Sequence, residues 1–308
     1  MKISQKSILV FTFLILILTL SSLPSFSFTE TSNYPLTVID HTGTAVTILQ
    51  EPERIISAAP SNTEILFALG LGDKVVGVTN YDNYPEEVAQ IEKIGEMSPL
   101  NLEKIVALKP DLILAYAVSQ GKEILRLREL GFKVIDVDPS NLEETFQSIM
   151  RIATICGVPE RGESLVQELS GRVEKIKAKV SQITNSKRPK VFIGSTFEPI
   201  WTAGANTLCD ELITLAGGQN IAGSSSGWIA ISPELVAQAE PDIIIIPTGA
   251  MNPGEESKIK ENISQRSGWS NLPAIKNQKI FIVNEDLFYR AGPRSVEALE
   301  WLYEIFHQ

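Results

Sequence analysis

The chain has 308 residues, 44% of them hydrophobic, with 27 basic and 37 acidic side chains for a formal net charge of −10. That much apolar material excludes a disordered chain and supports one large or two medium domains. The acidic balance excludes nucleic acid and anionic membranes as partners, since both require basic surface.

Residues 1–27 follow the plan of a secretory leader: Lys2 and Lys6, an apolar run Ile8 to Leu20, then the small residues Ser25 and Ser27. The run is shorter than the ~20 residues of a membrane span, so cleavage near Phe28 is expected rather than anchoring. Without a cysteine after the run, no lipid anchor is expected. The expected product is a soluble protein between two membranes, two units more negative once both lysines are gone.

Leu36 to Ile48 alternates through Asp40-His41-Thr42-Gly43 and predicts a β-hairpin turning at Gly43. Arg54 to Ala59 is a short apolar run, after which Ser61-Asn62-Thr63-Glu64 supplies a cap for a helix to Leu69. The strand–helix unit then recurs: strands at Val75 to Thr79, Leu112 to Tyr116 and Val134 to Val137, helices at Asn101 to Leu108, Lys122 to Leu130 and Leu142 to Cys156. Strands alternating with helices at this spacing imply a parallel sheet with right-handed crossovers.

Gly157-Val158-Pro159 breaks the pattern, and a long helix follows. From Pro159 to Ile183 the apolar residues Leu165, Leu169, Val173, Ile176, Val180 and Ile183 keep to one helical face. At helical rise this rod is about 37 Å long, enough to cross a lobe. The theme resumes with strands at Val191 to Gly194, Ile243 to Ile246 and Ile280 to Val283, and helices at Leu208 to Ala216, Pro233 to Ala239 and Ser295 to Phe306. The expected fold is α/β: two lobes (28–158 and 185–308), each a mostly parallel sheet flanked by helices, joined by one rigid helix (159–184).

One internal match supports equivalent lobes. At an offset of 131, Glu103 falls on Glu234, Pro110 on Pro241 and Asp111 on Asp242.

Catalytic patterns are poorly supported. Gly223-Ser224-Ser225-Ser226-Gly227 matches the G-x-S-x-G elbow with Ser225 as nucleophile, but no strand precedes it, and the only histidines are His41 and His307. Two distant histidines do not make a metal cluster. Gly70-Leu71-Gly72 follows a helix, where a dinucleotide fingerprint must follow a strand. Cys156 and Cys209 are either a disulfide stapling the halves or two buried thiols. Binding is better supported: Tyr81 and Tyr84 follow one strand, Tyr116 ends another, and Trp201 and Trp228 are read as loop residues of the second half. Ligands of open α/β sheets dock at that edge, and aromatics offer large faces with a polar handle.

Arg54-Ile55-Ile56-Ser57-Ala58-Ala59-Pro60-Ser61-Asn62-Thr63-Glu64, Gly77-Val78-Thr79-Asn80-Tyr81 and the segment Asn101 to Asp111 resemble the substrate-binding components of cobalamin and ferric siderophore ABC importers. The similarity runs from about Arg54 to the end and is strongest to the cobalamin-binding members. It implies two α/β lobes on one rigid helix, no enzymatic step, no cofactor, and a monomer that serves a permease dimer with its ATPase subunits. Carried over by position, it places a corrinoid cleft on Tyr81, Met97, Tyr116, Trp201, Trp228, Asp286 and Arg290, and permease-docking carboxylates on Glu103 and Glu234. Met97 and Tyr116 stand where the cobalamin-binding members have tryptophans, which leaves haem or a ferric siderophore as alternative ligands, with Tyr81 or Tyr116 as an iron ligand. An exported serine hydrolase using Ser225 is the alternative from another class.

Overall fold

The structure is a computed structural model that describes residues 34–184 and 187–308. The leader read over residues 1–27 lies outside the described residues.

The hairpin forms as β1 (Leu36–Ile39) and β2 (Ala45–Ile48), paired antiparallel, with Gly43 at φ 77°. Next come β3 (Ile55–Ser57), α1 (Pro60–Ala68), β4 (Val75–Val78), α2 (Leu102–Leu108), β5 (Leu112–Ala115), α3 (Ala117–Glu129), β6 (Val134–Asp136) and α4 (Leu142–Ile155). Their four strands form a parallel sheet in the order β4-β3-β5-β6. After α5 (Pro159–Val180) the chain builds β7 (Lys190–Ile193), β8 (Ile200–Ala203), α6 (Leu208–Leu215), β9 (Gln219–Asn220), β10 (Trp228–Ile231), α7 (Pro233–Ala239) and β11 (Ile243–Thr248). It ends with α8 (Glu256–Gln265), α9 (Pro273–Lys276), β12 (Ile280–Asn284), α10 (Asp286–Tyr289) and α11 (Ser295–Phe306). The second parallel sheet runs β12-β11-β7-β9. Taken by chain position, both sheets have the order second, first, third, fourth. Their central strands are buried on both faces, which is why β5 and β11 read as unbroken apolar runs rather than alternating ones.

The internal match is structural. Asn101 caps α2 by accepting from the Lys104 N–H, and Ser232 caps α7 by accepting from the Leu235 N–H. Both helices end on a left-handed residue, Lys109 (φ 49°) and Glu240 (φ 52°). Asp111 then accepts from the backbone N–H groups of Glu53 and Arg54 at 2.9 and 3.0 Å, while Asp242 accepts from Lys190 at 2.8 Å. Each Pro-Asp pair thus ties a helix end to the first strand of its sheet.

One buried cluster crosses the molecule from Val46 and Ile48 through Ile149 and Ile152 of α4, then Leu169, Val173, Ile176 and Val180 of α5, to Leu212 and Leu302. Helix α5 has 22 residues, about 33 Å at helical rise. It stops at Val180, short of the expected Ile183, because the Ile183 N–H turns back onto the Val180 carbonyl. Ile183 still packs against the core, so its apolar period continued through a turn. Gly162 lets α4 and α5 touch: a Cβ there would lie 2.6 Å from the Ala153 Cβ.

Three sequence readings need correction. Helix α1 begins at Pro60 on Ala59, without a side-chain cap, and Ser61-Asn62-Thr63-Glu64 are buried inside its first turns. The Glu64 carboxylate is taken by Arg290 and Arg294 of the other half. Helix α3 starts at Ala117, with an irregular turn at Gln120, whose amide bridges the Ala58 carbonyl and the Tyr116 N–H. Trp201 and Trp228 are strand residues rather than loop residues: β8 and β10 pair antiparallel, with Trp201 opposite Ala230 and Trp228 opposite Ala203. Flanking Gly, Pro and Ser hid a four-residue ribbon.

Because the core is continuous through α5, we expect one cooperative unfolding transition rather than one per half. Ile176→Ala should lower it by about 2–5 kcal/mol. Calorimetry of the wild type and the variant checks this; two separable transitions would show independent cores.

Candidate functional site

The loops after six parallel strands meet in a cleft of about 840 Å³. One wall is Pro60 and Ser61 after β3, Asn80, Tyr81 and Asn83 after β4, Glu96 to Ser98, Tyr116 after β5 and Pro139 after β6. The other is Thr248 to Met251 after β11 and, after β12, Asn284 to Asp286 with Tyr289 to Ala291. In parallel sheets the carboxyl ends are the free edge, since the crossovers occupy the faces. The volume lies toward the top of the ~300–1,000 Å³ common for small-molecule pockets, so the cleft suits a large ligand.

Both walls are pinned from behind. Buried Asp82 accepts from the Thr79 N–H at 2.8 Å and from its hydroxyl, fixing the turn that presents Tyr81. Burial raises the Asp82 pKa against the opposing hydrogen bonds from Thr63 and Thr79. Opposite, the Glu285 carboxylate accepts from the N–H groups of Met251 and Asn252 at 2.8 and 3.1 Å. Gly249 is required there, because a Cβ would lie 2.5 Å from that carboxylate.

Arg290 spans the cleft. It pairs with Asp286 at 2.7 Å on its own wall and reaches the Asn83 side-chain oxygen at 2.8 Å, the Tyr81 carbonyl at 3.0 Å and Glu64 at 3.2 Å on the other. Asn83 in turn donates to Asp286 at 3.0 Å. Behind it, Arg294 grips Glu64 through two bonds of 2.8 and 2.6 Å and lies 4.0 Å over the Tyr84 ring. Burial opposes the charge on Arg294, but Glu64 overrides it and the pKa is raised. The Glu64 side chain is only 2% exposed. Away from this cluster, another bond joins the halves where Glu211 of α6 accepts from the Leu142 N–H at 2.8 Å, capping α4.

The residues expected from the sequence divide into three groups. Tyr81, Met97, Tyr116, Asp286 and Arg290 all line the cleft. Trp201 and Trp228 do not; they share one face of the β8–β10 ribbon as a diagonal pair and are 42% and 45% exposed. Trp228 meets Tyr289, which does line the cleft, edge-on at 5.0 Å. Glu103 and Glu234 are exposed in the first turns of α2 and α7, near the exposed apolar side chains of Val106 and Leu235. Hydrogen bonds from its own N–H and from Ser232 lower the Glu234 pKa.

The cleft is acidic: Glu96, Glu285 and Asp286 line it against Arg290 alone among the described residues. Its phenols hold their protons. Burial, then the Asp138 carboxylate, pushes Tyr116 up to about 12, and a hydrogen bond to Glu96 raises Tyr81. Neither histidine bonds Ser225 among the described residues: His307 contacts the Ala216 carbonyl at 2.8 Å and His41 accepts from the Asp138 N–H at 3.1 Å. No cluster of metal-ligating side chains occurs among the described residues. Cys156 and Cys209 are buried free thiols, and burial raises both pKa values.

Sequence reasoning missed Glu64, Asn83, Glu285 and Tyr289. Glu64 carried a signal, an acidic residue directly before the apolar Ile65-Leu66-Phe67, but its partners lie more than two hundred positions away.

The family model for periplasmic binding proteins matches residues 55–287. An uncharacterized ABC transporter substrate-binding lipoprotein of Bacillus subtilis strain 168 is 36% identical over 280 residues, spanning 89% of this chain and 86% of its own. The crystal structure of the periplasmic vitamin B12 binding protein of Vibrio cholerae superposes with a TM-score of 0.71 at 30% identity, over 83% of this chain and 96% of that one. A periplasmic heme-binding protein from Roseiflexus sp. RS-1 gives a TM-score of 0.74, also at 30% identity, over 83% and 98%.

The Tyr116 shift sets a pH dependence. Its phenol ionises near 10 in the unfolded chain and near 12 when folded, so its contribution is complete below 10 and is lost as pH rises to about 12. Tyr116→Phe should flatten that part of the fall. Urea midpoints of both proteins across the interval check it; parallel curves would show that Tyr116 is not the group responsible.

Proposed function

Because the chain belongs to the periplasmic binding protein family, the substrate-binding components of ABC importers, we propose that it captures cobalamin or a related corrinoid and delivers it to its importer. The observation that carries the corrinoid reading is the charge of a cleft about 840 Å³ in volume, where three carboxylates face one guanidinium already bound to protein groups. A bulky ligand rimmed with neutral amides meets no electrostatic penalty there. Haem propionates or an anionic siderophore would be buried against carboxylates without a free cation. Ligation of iron by Tyr81 or Tyr116 would require a phenolate beside Glu96 or Asp138, the arrangement that raises both phenols.

In this reading Tyr81, Met97 and Tyr116 form apolar walls that exclude water from the corrin face. Asp286, Arg290 and their neighbours offer hydrogen bonds to the amide rim, and Trp201 and Trp228 flank the mouth beside Tyr289. The halves 28–158 and 185–308 act as lobes about the 159–184 helix, with little closure because the core runs through that helix. Glu103 and Glu234, on helices matched in caps and ends, present two equivalent carboxylates to arginines of a two-fold permease. The leader is removed and the protein works soluble in the periplasm; among the described residues no helix is long and apolar enough to cross a membrane.

Tryptophan fluorescence of residues 28–308 titrated with cyanocobalamin, cobinamide, ferric haem and a ferric hydroxamate tests the ligand. A corrinoid should bind in the micromolar range or tighter, and Tyr81→Ala should weaken it about tenfold, the loss of one stacking face; binding of haem or the hydroxamate alone overturns the corrinoid assignment. Glu103→Ala with Glu234→Ala should leave ligand affinity unchanged and abolish ligand-stimulated ATP hydrolysis by the reconstituted importer. Unimpaired stimulation would remove both glutamates from docking.

A further inference from the structure

We propose that Glu64, which does not itself line the cleft, determines its preference for uncharged over anionic ligands. The inference rests on the corrinoid reading and concerns how that same cleft selects. Arg290 is the one cation among the described residues lining it. One terminal nitrogen points to Glu64 and Asn83, the other to Tyr81 and Asp286. Arg294 is likewise committed, through two bonds to Glu64. Glu64 and Asp286 therefore balance Arg290 and Arg294 charge for charge, and both terminal nitrogens of Arg290 are engaged by protein groups. Without the Glu64 charge, the same four positions carry a net positive charge at the cleft wall, and the Arg290 Nη1 hydrogen that pointed to Glu64 is released. A planar guanidinium with free donors is the side chain best shaped for a carboxylate. Glu64 is thus a positioning residue that acts through Arg290, from a helix of the opposite wall.

The structure also separates this role from ordinary stabilisation. If Glu64 only held the halves together, its loss would weaken every ligand alike. If it cancels a charge, ligands that differ only in charge must respond differently. Arg294→Gln must then act in the opposite sense from Glu64→Gln, because it leaves the cluster with excess negative charge.

The test uses residues 28–308 and two probes of one shape, cyanocobalamin and its derivative with one peripheral propionamide hydrolysed to a carboxylate. The readout is the ratio of their dissociation constants. Glu64→Gln, which keeps the side-chain volume, should move this ratio about tenfold in favour of the carboxylate, as expected for one charge across a partly buried wall. The change should shrink in high salt. Arg294→Gln should move the ratio the other way, and it decides the matter if Glu64→Gln does not fold. Ratios unmoved in the folded variants would overturn the role of Glu64 while leaving the corrinoid assignment intact. If the wild type binds neither probe, the corrinoid reading fails and the inference falls with it.

Discussion

The ion cluster of Glu64, Arg290 and Arg294 is the constraint on which the cleft depends. A carboxylate this deeply buried is unfavourable unless its charge is matched and its lone pairs are filled. Glu64 meets both conditions only by crossing from the first half of the chain to the second. Removing either side would leave a buried charge unpaired, which is more costly than never having had the pair. The cluster thereby couples the distance between the walls to the satisfaction of a charge. With Asn83, Asp286 and the Tyr81 carbonyl, it also engages both terminal nitrogens of Arg290.

Two further ties act in the same direction. Apolar residues of α5 belong to one core shared by both halves, and Glu211 closes the open end of α4. A parallel-sheet protein usually leaves its strand ends as mobile loops. Here Asp82 and Glu285 each hold one of those loops by accepting backbone N–H groups. A large ligand therefore meets walls already in place, and binding entails little ordering cost. The matched ends of α2 and α7 add a second regularity: whatever meets Glu103 can be met the same way at Glu234.

Much of the fold was legible. Apolar runs located every strand of the first sheet and all of the second but the two-residue β9, glycine and proline located the break before α5, and the offset of 131 identified two helices that both carry a side-chain cap and the same closing Pro-Asp. Local rules govern these features. The ribbon that carries Trp201 and Trp228 was not legible, since four-residue strands between Gly and Ser turns carry no periodicity distinguishable from loop. Glu64 was misread for a related reason: Ser61-x-x-Glu64 fits a capping box, and only a distant pair of guanidinium groups turns the carboxylate elsewhere.

By itself the sequence determined the class, an α/β chain with a duplicated sheet about a long helix, and it named Tyr81 and Tyr116 and, through its family resemblance, the Asp286–Arg290 pair, all of which line the cleft. Periodicity, capping and turn chemistry act over a few residues and can be read from them. Only the tertiary structure decided which charges are free. Arg290 looks like an available cation in the sequence, and its electrostatic meaning appears once Glu64, Asn83 and the Tyr81 carbonyl are brought around it. The strength and even the sign of a site's field depend on distances between residues far apart in the chain, and those are fixed by packing.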